Sequence, residues 1–162
     1  MDDTTMTATA LLRNRHREVT AMFEQLLHSA GPERRELFDC LRAMLAVHET
    51  AEEVVVHPKV RGFDEAGMRA VEARLEEEQE AKRVLSELEA MDCDDPAFLP
   101  RVAVFREAVV THAEAEEREI FPRIEQRCSP EEQRTMAQRI QLAEKMAPTH
   151  PHPHGPSSAV GN

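Results

Sequence analysis

The chain has 162 residues, with five glycines, no tryptophan and no tyrosine, and 31 acidic residues against 20 basic ones, for a formal net charge of −11. This balance argues against a nucleic-acid or anionic-membrane partner, because both need basic surface patches. No apolar run approaches the roughly 20 residues of a membrane span. The abundance of Ala, Glu, Leu and Arg instead favours one helical domain.

Five helices are predicted in chain order, at residues 7–28, 32–58, 65–91, 97–128 and 129–146. Residues 1–6 read as a disordered N-terminus, and the His/Pro-rich residues 147–162 read as a disordered tail. Ser129-Pro-Glu-Glu132 is a capping box that opens the last helix. Short connections make neighbouring helices antiparallel. We therefore predict an all-α, up-down-up-down four-helix bundle over residues 7–146, with a short extra C-terminal helix.

The three cysteines, Cys40, Cys93 and Cys128, are isolated in the sequence and form no Cys-x-x-Cys pair. We also expect no secretory leader at the N-terminus. Isolated thiols of this kind are typical of a reducing compartment, so we expect a cytoplasmic protein.

The sequence contains one internal repeat. The segment His48-Glu-Thr-Ala-Glu52-Glu53 returns 64 residues later as His112-Ala-Glu-Ala-Glu116-Glu117, and a proline follows both copies at the same distance, as Pro58 and Pro122. Each copy contains His-x-x-x-Glu, and four residues advance about 400° round an α-helix, so each pair shares one face. Two such helices facing each other direct two imidazoles and two carboxylates at one spot. This predicts a metal site, and two bridging carboxylates predict two metal ions.

Further ligands are expected from the other two long helices. His16 lies on the apolar face of the first helix, and the two repeat copies favour a ligand over a core histidine. Aligning the third helix with the first at an offset of 63 residues puts Gln79 opposite His16. A carboxamide is a poor metal ligand. Glu76 and Glu80 are alternative donors, although a solvated acidic face explains both equally well.

Helix geometry separates the remaining candidates from the ligand face. His57 is nine residues after His48, about 900° round a continuous helix, so we expect it to face away from the site and lie on the surface. Glu53 and Glu117 are five residues after the ligand histidines, about 140° off the same face. Both are therefore expected to face solvent.

The pattern of His16 with two His-x-x-x-Glu pairs, each continued as Glu-Glu-x-x-x-x-Pro, resembles the hemerythrin-like HHE cation-binding family over about residues 7–127. The resemblance implies a four-helix bundle that holds two iron ions in an oxo- or hydroxo-bridged di-iron centre. It also implies that His16, His48, Glu52, His112 and Glu116 are ligands. Gln79 stands where the family usually has a third-helix histidine, and this departure argues against simple reversible oxygen carriage.

Two functions follow from this resemblance. The first is a di-iron protein that binds O2, NO or hydrogen peroxide, with catalase-like or peroxidase-like turnover. The second is a non-catalytic regulatory module that senses iron or redox state at the same site. The absence of an attached kinase, methyl-accepting or DNA-binding segment favours the first, and the complete His and Glu pairs argue against a bundle that has lost its metal. The oligomeric state stays open.

Overall fold

The computed structural model of the chain describes residues 6–148, and the two terminal extensions expected from the sequence fall almost entirely outside this range. The described helices are α1 (Ala8–Leu27), α2 (Pro32–Ala51), α3 (His57–Arg61), α4 (Glu65–Glu89), α5 (Phe98–Glu119), α6 (Phe121–Arg127) and α7 (Pro130–Met146). A π-helical turn, Glu52–Val56, joins α2 to α3. This architecture confirms the predicted all-α bundle of four long helical segments with an extra C-terminal helix.

The helix starts follow local capping chemistry. The side chains of Thr7 and Asp64 accept hydrogen bonds from free backbone N–H groups in the first turns of α1 and α4. Ser129 and Glu132 form the predicted capping box at the start of α7. Gly31, at φ 64°, takes a left-handed conformation that suits glycine and turns the chain into α2. These termini agree closely with the sequence prediction.

The second and fourth predicted helices are interrupted just before Pro58 and Pro122. Proline has no N–H to donate and its ring collides with the carbonyl four residues back, so a continuous α-helix is strained there. The chain solves this in two ways. The π turn precedes Pro58, whereas α5 ends at Glu119 and α6 begins at Phe121 in the other copy. The expectation of uninterrupted helices was therefore wrong at equivalent points of the repeat.

The apolar core is divided into two clusters with a polar band between them. One cluster surrounds α6 and α7 and includes Leu12, Val56 and Phe121. The other lies toward the opposite end of the bundle and includes Phe23 and Phe105. Helices α1, α2 and α4 contribute apolar residues to both clusters, whereas α5 contributes to the second cluster and α6 to the first. The polar band is therefore enclosed by hydrophobic side chains above and below.

Helix α7 closes the bundle on one side. It packs against α1, α2 and the π turn, and its buried face includes Met136, Ala137 and Ile140. Among the described residues, none of the helices combines the length and the apolarity that crossing a membrane would require.

We predict that Ile140→Ala destabilises the protein by about 2–5 kcal/mol, because it leaves a cavity under α7. The Ile140 side chain is fully buried, whereas Leu142, on the same helix, is 58% exposed. Leu142→Ala is the matched control and should change the free energy of unfolding by less than about 0.5 kcal/mol. Urea unfolding of both variants measures the difference. Equal effects would show that α7 is not packed on the bundle as described.

Candidate metal centre

Six donor side chains from all four long helical segments converge in the polar band. They are His16 of α1, His48 of α2, Glu52 of the π turn, Glu78 of α4, and His112 and Glu116 of α5. The five ligands expected from the sequence are thus brought together, and Glu78 joins them.

The donor atoms form two groups that share one carboxylate. His16, His48 and Glu116 offer donor atoms within 4.8 Å of one another, and so do Glu52, Glu78, His112 and Glu116. The Oε1 atom of Glu116 lies 3.3 Å from Nε2 of His16 and 3.4 Å from Nε2 of His112. The same carboxylate oxygen therefore approaches one histidine of each group, which places Glu116 between the two groups.

The repeat geometry is as expected within each His-x-x-x-Glu pair. Nε2 of His48 lies 3.0 Å from Oε1 of Glu52, one helical turn away. Glu52 is 1% exposed and Glu116 is fully buried, so neither carboxylate is solvated by bulk water. The duplication therefore supplies one buried His and Glu pair to the site from each copy.

Several buried polar atoms in this band have no hydrogen-bond partner among the described residues. They include both carboxylate oxygens of Glu116 and Glu78, one oxygen of Glu52, and Nε2 of His16. Burying a polar group without a partner costs free energy, and burying a charge without one costs more. Carboxylate oxygens and imidazole nitrogens aimed at one point are the donors that iron and manganese accept. The residues present therefore fit a pair of divalent or trivalent cations.

Outer carboxylates orient two of the imidazoles. Nδ1 of His16 lies 2.8 Å from Glu117, and Nδ1 of His112 lies 2.7 Å from Glu77. When each Nδ1–H donates to its carboxylate, Nε2 is left free as the inward-facing donor. Arg74, which is buried, pairs in turn with Glu77. The second glutamate of the repeat thus has a role: Glu117 is partly exposed, but it is not a free surface residue as expected.

Burial and mutual charge shape the protonation of the pair His48 and Glu52 in the absence of metal. Burial disfavours the charged carboxylate, but the neighbouring imidazole of His48 outweighs it and lowers the pKa of Glu52 to about 2. Burial likewise disfavours the charged imidazolium form of His48. The negative charge of Glu52 outweighs this effect of burial, so the pKa of His48 is raised. His16 behaves oppositely, since burial and the nearby His48 lower its pKa. In the absence of metal, the two neighbours therefore favour the ionised carboxylate of Glu52 and the protonated form of His48.

A buried lysine lies beside the centre. The ammonium of Lys82 is 2.5 Å from Glu49 and 3.8 Å from Glu53, and all three side chains are largely shielded from solvent. The expectation that Glu53 faces solvent was therefore wrong. The angular position of Glu53 on its helix predicted that it lies off the ligand face. However, α4 packs over this side chain and brings Lys82 next to its carboxylate.

The third-helix assignment from the sequence is also corrected. Glu76, Gln79 and Glu80 are exposed and belong to none of the donor groups, whereas Glu78 is 7% exposed and lies 3.6 Å from Nε2 of His112. The offset between the first and third helices is 62 residues, not 63, and one residue rotates a helix face by about 100°. Glutamates occupy positions 76–78 and 80, and each of them has a carboxylate that could bind a metal. The sequence therefore does not show which of them faces the donor cluster.

His57 is a further correction. It is 2% exposed and its Nε2 lies 3.8 Å from Oε1 of Glu78, at the edge of the donor cluster. The expected surface position assumed a continuous α-helix from His48. The π turn at Glu52–Val56 changes the phase and rotates this histidine inward. The proline at position 58 is the sequence signal that could have warned of the interruption.

A cavity of about 720 Å³ reaches the donor cluster from one side. Apolar side chains, eight glutamates and Lys82 line it, and the lining includes His48, His112 and Glu116 of the donor cluster. The apolar part of the lining includes Val19, Leu45, Ala81, Leu85, Phe105 and Val109. The cluster is therefore accessible to a small molecule through a space that has both apolar and acidic walls.

Comparisons with known proteins agree with this architecture. Residues 7–124 match the model of the Hemerythrin HHE cation binding domain. A crystal structure of a Hemerythrin HHE cation binding domain-containing protein, the Rv2633c homolog from Mycobacterium kansasii, superposes with a TM-score of 0.76 over 87% of this chain and 89% of that one, at 21% identity. A protein of Nostoc sp. (strain PCC 7120) named DNA nickase is 30% identical over 134 residues. That match covers 82% of this chain but only 38% of the longer relative.

We predict that Glu117→Ala weakens metal binding about 10- to 100-fold, because the imidazole of His16 loses the carboxylate that orients it. Glu114→Ala is the matched control, since Glu114 is an exposed glutamate of the same helix. Chelator competition on the metal-loaded proteins measures both changes. Unchanged affinity in Glu117→Ala would show that the contact with His16 does not support the site.

Proposed function

Because this chain belongs to the hemerythrin HHE cation-binding domain family, we propose that its polar band holds two iron ions and binds O2, NO or hydrogen peroxide there. His16, His48, Glu52, Glu78, His112 and Glu116 would hold the ions. The family membership accounts for cation binding. The identity of the metal, its number and the ligand are the parts that we propose.

The observation that carries the proposal is the position of Glu116. This carboxylate is fully buried, belongs to both donor groups, and has no hydrogen-bond partner for either oxygen among the described residues. Two cations held on either side of Glu116 would give both oxygens a partner. Each donor group combines imidazole nitrogen with carboxylate oxygen, a mixture that iron accepts. Magnesium and calcium instead prefer sites in which all ligands are oxygen atoms.

Iron bound here would supply redox chemistry toward O2, NO or peroxide. The chain's own residues would set the conditions. Glu77 and Glu117 keep the inward nitrogens of His112 and His16 available. Apolar clusters on both sides limit the access of water to the band. The charge of Lys82 offsets part of the negative charge of Glu49 and Glu53 near the centre.

The cavity supports a small uncharged ligand. O2, NO and hydrogen peroxide carry no charge, so the apolar part of the lining admits them, while the glutamates of the lining disfavour anions. Turnover of peroxide is the catalytic form of the proposal. A peroxide-consumption assay on iron-loaded protein tests it. Protein that holds two irons but consumes no peroxide would instead fit the regulatory, iron-sensing or redox-sensing role.

The relative named DNA nickase does not extend the proposal to nucleic acid. The activity in its name belongs to a protein of which this chain spans 38%. The net charge of −11 gives this chain no general basic footprint for a phosphate backbone. The absence of a nucleic-acid partner and the cytoplasmic location both stay predictions. A nicking assay on supercoiled plasmid, with and without iron, tests the first directly.

We predict about two irons per chain after anaerobic loading, as expected for carboxylate-bridged sites in helix bundles. Glu116→Ala should lower this stoichiometry below one, because both groups lose a donor. Glu114→Ala changes an exposed glutamate two residues earlier and should keep both ions. Elemental analysis and the near-ultraviolet spectrum report the result. A parent protein that retains no more than one iron would refute the two-metal proposal.

We also predict that narrowing the cavity slows ligand entry without removing metal. Val109→Phe adds volume at a lining position of α5. Ala103→Phe adds an aromatic ring at an exposed position of the same helix, outside the lining, and is the control. Stopped-flow mixing of the reduced, iron-loaded proteins with NO measures the rate. The prediction fails if Val109→Phe reacts as fast as the control at equal iron content.

A further inference from the structure

We propose that His57 is an additional metal ligand, which the π turn carries into the centre and which supplies the imidazole that α4 lacks. This inference rests on the proposed function, because it concerns a ligand of the same metal pair. It adds a fourth histidine to His16, His48 and His112, on the side of the centre that contains Glu78.

The environment of His57 is unusual for a structural histidine. The residue is 2% exposed, and neither Nδ1 nor Nε2 has a hydrogen-bond partner among the described residues. A buried histidine that only fills space leaves two polar atoms unsatisfied, and each of them loses its hydrogen bonds to water without replacement. Coordination through Nε2 would satisfy one of them.

The position of Nε2 is compatible with a shared ion. It lies 3.8 Å from Oε1 of Glu78, and that oxygen also has no hydrogen-bond partner. This distance is long for a hydrogen bond. Nitrogen and oxygen ligands lie about 2.0–2.2 Å from a metal such as zinc, so two donors on one ion can be up to about 4 Å apart. An ion between His57 and Glu78 therefore accounts for the separation of the two side chains.

The π turn explains how His57 reaches this position. In a continuous α-helix, a residue five positions after Glu52 is displaced by about 500°, or 140° from its face. A π turn closes i→i+5 hydrogen bonds, and the N–H of His57 donates to the carbonyl of Glu52 across this interval. One turn of the chain therefore takes about five residues here, whereas it takes about four residues in the α-helical parts. His57 consequently follows Glu52 on one face, much as Glu52 follows His48.

The two halves of the repeat show an exchange of ligand chemistry. Position 121 is the equivalent of position 57, and it is a fully buried phenylalanine whose ring stacks on His16 at 5.6 Å. One half thus pairs an α1 histidine with an apolar ring. The other pairs the carboxylate of Glu78, from α4, with the imidazole of His57. Each half therefore contains one imidazole at or next to position 57 or 121. In one half it is His16 of α1, and in the other it is His57 of α3.

The donor balance gives a reason for the exchange. Without His57, the group around Glu78 has three carboxylates, Glu52, Glu78 and Glu116, and one imidazole, His112. The opposite group has two imidazoles and the shared carboxylate. Adding His57 brings two imidazoles to each side, so the two metal positions become more nearly equivalent in nitrogen ligation.

The first test is the variant His57→Phe, which places in this half the residue found at the equivalent position of the other. We expect its affinity for the second metal ion to fall at least about 10-fold, a loss that chelator competition with elemental analysis measures. His28→Phe is the control, because His28 is an exposed histidine whose ring bonds only to the backbone of its own helix. Melting curves of the metal-free proteins check folding, and His57→Gln replaces the phenylalanine variant if that one is unfolded.

A second measurement separates a ligand from a residue that only positions Glu78. Protein loaded with cobalt(II) and labelled with ¹⁵N-histidine should show four imidazoles with large contact shifts, which pass through bonds and therefore mark ligated rings, from His16, His48, His57 and His112. His57→Phe or His57→Gln should show three. A parent protein with two bound cobalt ions and three shifted imidazoles overturns this inference alone. Unchanged affinity for both ions in the variants does the same. A parent that binds no cobalt overturns the proposed function together with it.

Discussion

The structure depends on one constraint: carboxylates and imidazoles are buried in the middle of an apolar bundle with too few partners of their own. Glu52, Glu78 and Glu116 are almost completely removed from solvent, and five of their six oxygens lack a hydrogen-bond partner among the described residues. Burial of the hydrophobic clusters on both sides stabilises the fold and offsets the cost of burying these polar groups. The same burial favours cation binding in the band, because the charge of a bound cation offsets the cost of removing these carboxylates and imidazoles from water.

The surrounding residues are organised in shells that hold the ligands in place. Glu77 and Glu117 bond the outer nitrogens of two histidines, and the buried guanidinium of Arg74 fixes Glu77. Lys82 plays a related part on the flank of Glu78, where it contacts Glu49 and Glu53. Loss of such outer contacts typically lowers metal affinity about 10- to 100-fold. The doubled glutamates of the repeat therefore divide their work: the first of each pair is a candidate ligand and the second is a support.

The helix interruptions before Pro58 and Pro122 connect local backbone chemistry with the composition of the site. Both rotate the following residue inward, so that position 57 or 121 reaches the level of the polar band. The chain uses a histidine in one copy and a phenylalanine in the other. A departure from the regular α-helix, caused by a residue that cannot continue it, thus decides which side chains enclose the centre.

The sequence by itself determined the helical class, the helix termini, and the convergence of His16 with the two His-x-x-x-Glu pairs, because these features follow from local periodicity, capping and one repeat. Only the tertiary structure decided that Glu78 rather than Gln79 faces the band, that Glu53 is covered by α4, and that His57 is buried. The physical reason is phase. In a run of adjacent glutamates every residue has suitable chemistry, and a rotation of about 100° per residue separates a ligand from a surface charge. That rotation is set by packing against neighbouring helices and by the π turn, which sequence periodicity does not report.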